Sequence, residues 1–269
     1  MQRTITSILC ACAALVVLTA SGAARGSLKL KTGGVMKGII GWSVRSKKYV
    51  VTAKNLEQQV DVKDVEEIDI EKPAEFDDAV AQVAKGQGAA AIPALQKIVK
   101  EYAHLQWDKV AGRYLAEAYL ADNKPKDAVR VCEAIIKEDK DAAHRGELAP
   151  AYWNALLLGS ESRRKLEGCL AEAMKGEDRF ARGAALIMYG DIAMKDGGET
   201  PDACKKALTD GYLRVVYLYK DDEVANRLRP EALYKAARCF DKLGNRVQLA
   251  EKMRTDLKSN YPDSPLANK

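Results

Sequence analysis

The chain predicts a mainly α-helical protein, an α-solenoid-like array of about five helical hairpins preceded by a small all-β unit. Three observations carry that expectation. From Trp107 to Lys140, apolar residues recur at spacings of three and four on either side of one tight break. Val110, Tyr114, Leu115, Ala118 and Tyr119 precede the break, and Ala128, Val131, Cys132, Ile135 and Ile136 follow it. Turn residues at Gly86 and Gly88, Asn123, Gly159, Gly197-Gly198 and Gly244 divide the helical stretches at intervals of about 35 to 38 residues and then a longer one, close to the period of helix-turn-helix arrays. From Ser27 to Ile70 the pattern changes to short β-rich runs of period two. A lone hairpin cannot bury its apolar stripe, so its natural neighbours are copies of itself.

At 269 residues the chain exceeds what one small core usually holds, which fits two units or an elongated array. A formal charge of +5 is mild, far from the clustered basicity of a dedicated nucleic-acid binder.

Met1 to Ala24 reads as a secretory signal peptide. Arg3 supplies a positive start, Ile5 to Leu18 an apolar run short for a membrane span, and Ser21-Gly22-Ala23-Ala24 a small-residue cleavage site. The expected location is therefore the periplasm or cell envelope, with no transmembrane span once the signal is removed.

In the β unit, expected over residues 27–72, Leu28-Leu30, Val35, Ile39-Ile40, Tyr49-Val50-Val51, Val60-Val62 and Ile68-Ile70 form the runs. Thr32-Gly33-Gly34, Ser46-Lys47-Lys48 and Lys54-Asn55 separate them. A strand, a Gly-Gly turn, a longer strand, two more strands and a single helical turn at Lys63-Asp64-Val65 before the last strand resemble, in layout, a small SH3-like or Sm-like barrel. Basic residues (Lys29, Lys31, Lys37, Arg45, Lys47, Lys48, Lys54) fill its first part and acidic residues its end. With Trp42 and Tyr49, the basic side is an alternative binding surface for an anionic polymer such as peptidoglycan or another glycan. The competing reading is a solvated, internally balanced face.

Helical periodicity then runs over residues 75–269. The expected pairs are Glu75–Lys85 with Ala89–Tyr102, Gln106–Ala121 with Pro125–Glu138, Leu148–Leu158 with Glu161–Lys175, Arg179–Lys195 with Pro201–Tyr219, and Arg229–Leu243 with Arg246–Asn260. Asn123 suits the left-handed residue closing a helix, and Pro125 and Pro201 suit first helical positions. Ser160, Thr200 and Asn245 are good N-cap types.

These hairpins resemble the tetratricopeptide repeat (TPR) family. Leu115, Ala116, Tyr119, Ala128 and Ile135 in the second hairpin, and Ala236, Ala237, Phe240, Gly244, Ala250, Leu257 and Pro262 in the fifth, fall where that family places its packing residues. The ending Asn260-Tyr261-Pro262-Asp263-Ser264-Pro265-Leu266-Ala267 is similar to repeat ends in envelope-assembly proteins of the outer-membrane-assembly lipoprotein and Tol–Pal coordinator type. The third hairpin departs most, with Trp153 and Asn154 where smaller residues are usual. The loop Lys220 to Leu228 is long for the family.

The resemblance implies a groove lined by first helices. Carried onto this sequence, that face includes Arg113, Glu117, Tyr234 and Arg238 and would receive a peptide or a partner's helix. The implied role is a noncatalytic scaffold for protein–protein interactions with other envelope proteins. No catalytic, cofactor or metal site is expected: His104 and His144 lie in loops without a second ligand at helical spacing, and no Gly-rich loop follows a strand. Cys132, Cys169, Cys204 and Cys239 sit in helical stretches, where packed thiols and disulfides are the competing readings.

Overall fold

The computed structural model describes residues 21–54, 56–159 and 163–268. Most of the expected leader (residues 1–20), Asn55 of the expected turn and the expected Ser160 cap therefore lie outside the described residues.

Five antiparallel strands come first: β1 (Ser21–Leu30), β2 (Val35–Ser43), β3 (Lys48–Ala53), β4 (Leu56–Asp61) and β5 (Val65–Ile70). They lie in the order β4-β3-β2-β1-β5, so the last strand returns beside the first. A single 3-10 turn at Val62–Asp64 makes that return, one residue earlier than the sequence places it. The Lys31 amide donates to the Asp64 carbonyl at 2.9 Å and fixes it. Alternation puts Leu28, Ile40, Val51, Val60 and Ile70 inside. The first strand begins earlier than expected, since Ser21, Ala23 and Ala24, assigned by sequence to the leader's end, pair with Trp42, Gly41 and Ile40. These strands form one compact unit with residues Lys100–Gln106. Within it, His104 stacks on Trp42 at 4.3 Å between ring centroids, and Tyr49 meets Trp42 edge-on at 5.1 Å.

The second unit, Lys72–Val99 with residues from Trp107 on, is helical. Its hairpins are α1 (Phe76–Ala84) with α2 (Gly88–Glu101), α3 (Trp107–Ala121) with α4 (Pro125–Glu138), and α5 (Leu148–Gly159) with α6 (Arg163–Lys175). Then come α7 (Arg179–Asp196) with α8 (Pro201–Ala207) and α9 (Leu213–Leu218), and finally α10 (Arg229–Leu243) with α11 (Val247–Asn260). First helices stack in succession, α1 on α3, α3 on α5 and α5 on α7, while α4 packs on α5 and both α8 and α9 pack on α10. One buried cluster runs through the last four hairpins, from Ala116 to Ala267. Each layer covers the stripe its neighbour could not bury alone.

The terminators act as their chemistry requires. Asn123 closes α3 at φ 54°, Gly244 closes α10 at φ 69°, and Pro125 and Pro201 open α4 and α8. Thr200 caps α8, its hydroxyl accepting from the Ala203 amide at 3.3 Å. Asn245 does not cap α11, because the helix starts one residue later and Arg246 occupies the cap position without a side-chain bond. The cap the sequence reading missed is Asp178, which accepts from Ala181 N at 3.0 Å and from Gly146 N at 2.7 Å.

The expected helix Pro201–Tyr219 is interrupted by a π segment at Leu208–Tyr212. Its wider turn aims Gly211 and Tyr212 at α7. A Cβ on Gly211 would sit 2.6 Å from the Leu186 carbonyl oxygen and 2.8 Å from the Gly190 amide nitrogen, so only glycine permits this approach. Beside it, Tyr212 donates to Asp191 at 2.8 Å.

Candidate partner-binding surface

The four residues singled out by sequence fall into two separate places. Arg113 and Glu117, one turn apart on α3, form an ion pair at 2.9 Å. Arg113 also pairs with Glu147 just before α5 and lies 4.5 Å over the Tyr114 ring. Glu147 in turn holds Arg227, eighty residues away in sequence, whose guanidinium covers the Phe180 ring at 4.1 Å. Burial opposes charge at Glu147, but Arg227 and Arg113 outweigh it and hold the carboxyl below its ordinary range. Arg113 is thus a tie between α3 and the segment before α5, its Nε on Glu117 and its Nη1 on Glu147. Beside it, a cavity of about 420 Å³ has Lys109, Asp139, Arg145 and Asp178 in its wall. Lys109 and Asp139 are paired with each other at 2.6 Å.

Tyr234 and Arg238 share the exposed side of α10 with the guanidinium 5.9 Å over the ring. They line a cavity of about 210 Å³ between α10, α11 and the C-terminal segment. That segment is firmly seated. Buried Arg229 donates to the Val216 carbonyl at 3.1 Å and to the Tyr261 hydroxyl at 2.7 Å, Tyr261 bonds Asn226, and Ala267 is buried. Arg229 escaped the sequence reading because its partners lie on other elements, with no local pattern to mark it.

Residues 231–264 match the tetratricopeptide repeat family model. The matched repeat is α10, α11 and the turn beyond, the stretch in which Ala236, Ala237, Phe240, Ala250 and Leu257 are all buried. Tyr234 and Arg238 lie on its first helix. No curated protein and no solved structure matches the chain.

Elsewhere in the helical unit, a half-buried polar group joins α7 to α10. Lys235 pairs with Asp191 at 2.7 Å and with Glu231 at 2.6 Å. Burial pushes the Asp191 carboxyl above its usual range despite Lys235. Burial opposes charge on Lys235 as well, yet Glu231 and Asp191 together raise its affinity for the proton. The acid pair Asp221-Asp222, read from sequence as solvated, is only half so: Asp222 accepts from the Val224 and Ala225 amides at 3.0 and 2.7 Å and pairs with Arg179. It thereby orders the long loop ahead of α10.

Among the described residues, no three or more His, Cys, Asp or Glu side chains are grouped to hold a metal ion. No helix among them is long and apolar enough to cross a membrane. The four cysteines are free thiols, Cys132, Cys204 and Cys239 buried and Cys169 half-buried. Burial pushes the Cys132 and Cys239 thiols up to about 12.

Proposed function

We propose that this protein is an exported, noncatalytic scaffold of the cell envelope, whose stacked helical hairpins hold a protein or peptide partner. The observation that carries the reading is the repeat at residues 231–264, joined to earlier hairpins built on the same plan. Such arrays expose a long surface suited to grasping a segment of another chain. The envelope setting rests on the charged start, apolar run and small-residue ending of the leader. An SH3-like barrel at the N-terminus is in keeping with the strand order and the 3-10 turn before the last strand.

The basic side of the strands is the weaker site. Trp42 and Tyr49 are buried and packed on each other, which removes them as a stacking platform, while Lys29 and Lys48 are paired with Glu66 and Asp61.

Affinity purification of the tagged full-length chain from intact envelopes, read by mass spectrometry, tests the scaffold reading. Discrete envelope proteins should be enriched over the empty tag. Recovery of nothing above that control, or of cytosolic proteins alone, would contradict it.

A further inference from the structure

The cavity beside α11 differs in charge from the others described. The wall of the 420 Å³ cavity beside α3 contains Asp139 and Asp178, and the larger 690 Å³ cavity along α7 and α8 contains Asp196, Asp202 and Asp210. The 210 Å³ cavity has three cations, Arg238, Arg254 and Lys258, and no carboxylate in its wall. Arg254 is held in place by Glu251 at 2.7 Å and by Asp241. Arg238 reaches Glu199 only weakly, since Lys242 is the cation paired with that carboxyl. Lys258 has no acidic partner among the described residues. Beneath the cations the floor is apolar, with Leu257 and Ala267 buried and Tyr234 to one side.

We infer that this cavity is the anchor point for an acidic peptide segment of a partner protein. A carboxylate side chain of the partner is held between Arg238 and Lys258, and an adjacent aliphatic side chain lies on Leu257 and Ala267. The inference rests on the scaffold reading and narrows it to a partner chemistry. Charge complementarity selects an acidic ligand, since Lys258 has no acidic partner among the described residues and Arg238 is not the cation paired with Glu199, while Arg254 is already held by Glu251 and Asp241. Size selects a local anchor: a cavity of about 210 Å³ takes side chains of a partner segment and not a folded element. The wall is preformed, because the Arg229–Tyr261 bond and the buried Ala267 fix the C-terminal segment that closes it. Preorganisation reduces the ordering cost of binding.

The test uses the full chain and fluorescence polarisation with a labelled peptide alternating aspartate and leucine. The comparison peptide alternates asparagine and leucine, and inorganic phosphate is the free-anion competitor. The expected result is saturable binding of the aspartate peptide, at least tenfold weaker for the asparagine peptide and for the chain carrying Arg238→Glu with Lys258→Glu, and weakening as salt rises. Both substituted side chains are exposed, so an unchanged circular dichroism spectrum and melting temperature are expected. Should that variant misfold, Arg238→Gln with Lys258→Gln replaces it, with at least a fivefold loss expected. Three results overturn the inference: no saturable binding, equal binding by the charge variant, or displacement by phosphate at the peptide's own concentration. Envelope proteins still captured by the charge variant would leave the scaffold reading standing while this inference fails.

Discussion

Replacing Gly211 by alanine tests the packing of the fourth hairpin. The new Cβ would meet backbone on every side: the Leu186 carbonyl oxygen at 2.6 Å, the Gly190 nitrogen at 2.8 Å and the Gly190 Cα at 2.9 Å. No side-chain rotation relieves such contacts, so α7 and the π segment must separate. Overpacking of this kind costs about 1–3 kcal/mol and occasionally more. The opposing gain from alanine's better helix propensity is about 1 kcal/mol. The π turn gives up part of that gain, so a net loss of about 2 kcal/mol is expected. For a helical unit of this size that corresponds to a fall of about 4–8 °C in melting temperature. Gly168 is the matched control, lying exposed in α6 with open space where a Cβ would go. Gly168→Ala should stabilise by about 0.5–1 kcal/mol. Thermal and urea unfolding followed by circular dichroism measure both variants. If the two alanines shift stability in the same direction, the close approach of α7 to the π segment is wrong.

Other outcomes follow from the polar contacts. Asp178→Ala removes one cap bond and one bond to Gly146, so it should cost about 2 kcal/mol where Thr200→Ala costs about 1, measured by urea denaturation. Lys235 and Tyr212 both hold their protons more tightly in the folded chain than in the unfolded one. Each therefore contributes stability that is complete below about pH 10 and is lost as pH rises toward the raised values. The urea midpoint should fall as pH rises above about 10, and Tyr212→Phe should make that fall shallower; an unchanged slope would refute the assignment. In the folded protein Cys169 should be alkylated first and the three buried thiols only on unfolding, as followed by mass spectrometry of iodoacetamide adducts. Equal rates at all four would contradict the packing.

Much of the helical plan was legible because its signals are local. Asn123 and Pro125 break the chain by backbone chemistry alone, and stripes at three and four spacing mark which face each helix buries. Even the third hairpin, irregular as a repeat, announced its place. The largely apolar sequence of α5 puts most of its residues in the core, and Trp153 is fully buried with its indole N–H on the Ala143 carbonyl at 2.9 Å. What sequence could not supply were contacts between distant residues. Glu147 joins Arg113 to Arg227, and Arg229 grips Tyr261, through pairings with no fixed spacing. The π segment was equally hidden, since one extra residue in a turn leaves the apolar pattern almost intact. For the candidate surface, this separates the residues first grouped together: Arg113, held by internal pairs, lines one cavity, and Tyr234 with Arg238 line another.

The most direct test of the scaffold claim is site-specific photocrosslinking of the full chain in the living cell. A photoreactive residue at position 234, on the edge of the matched repeat, should give a discrete adduct of defined mass, and one at Gly168 should give none. Identical adduct patterns at the two positions, or none at either, would contradict the claim that the repeat surface holds a partner.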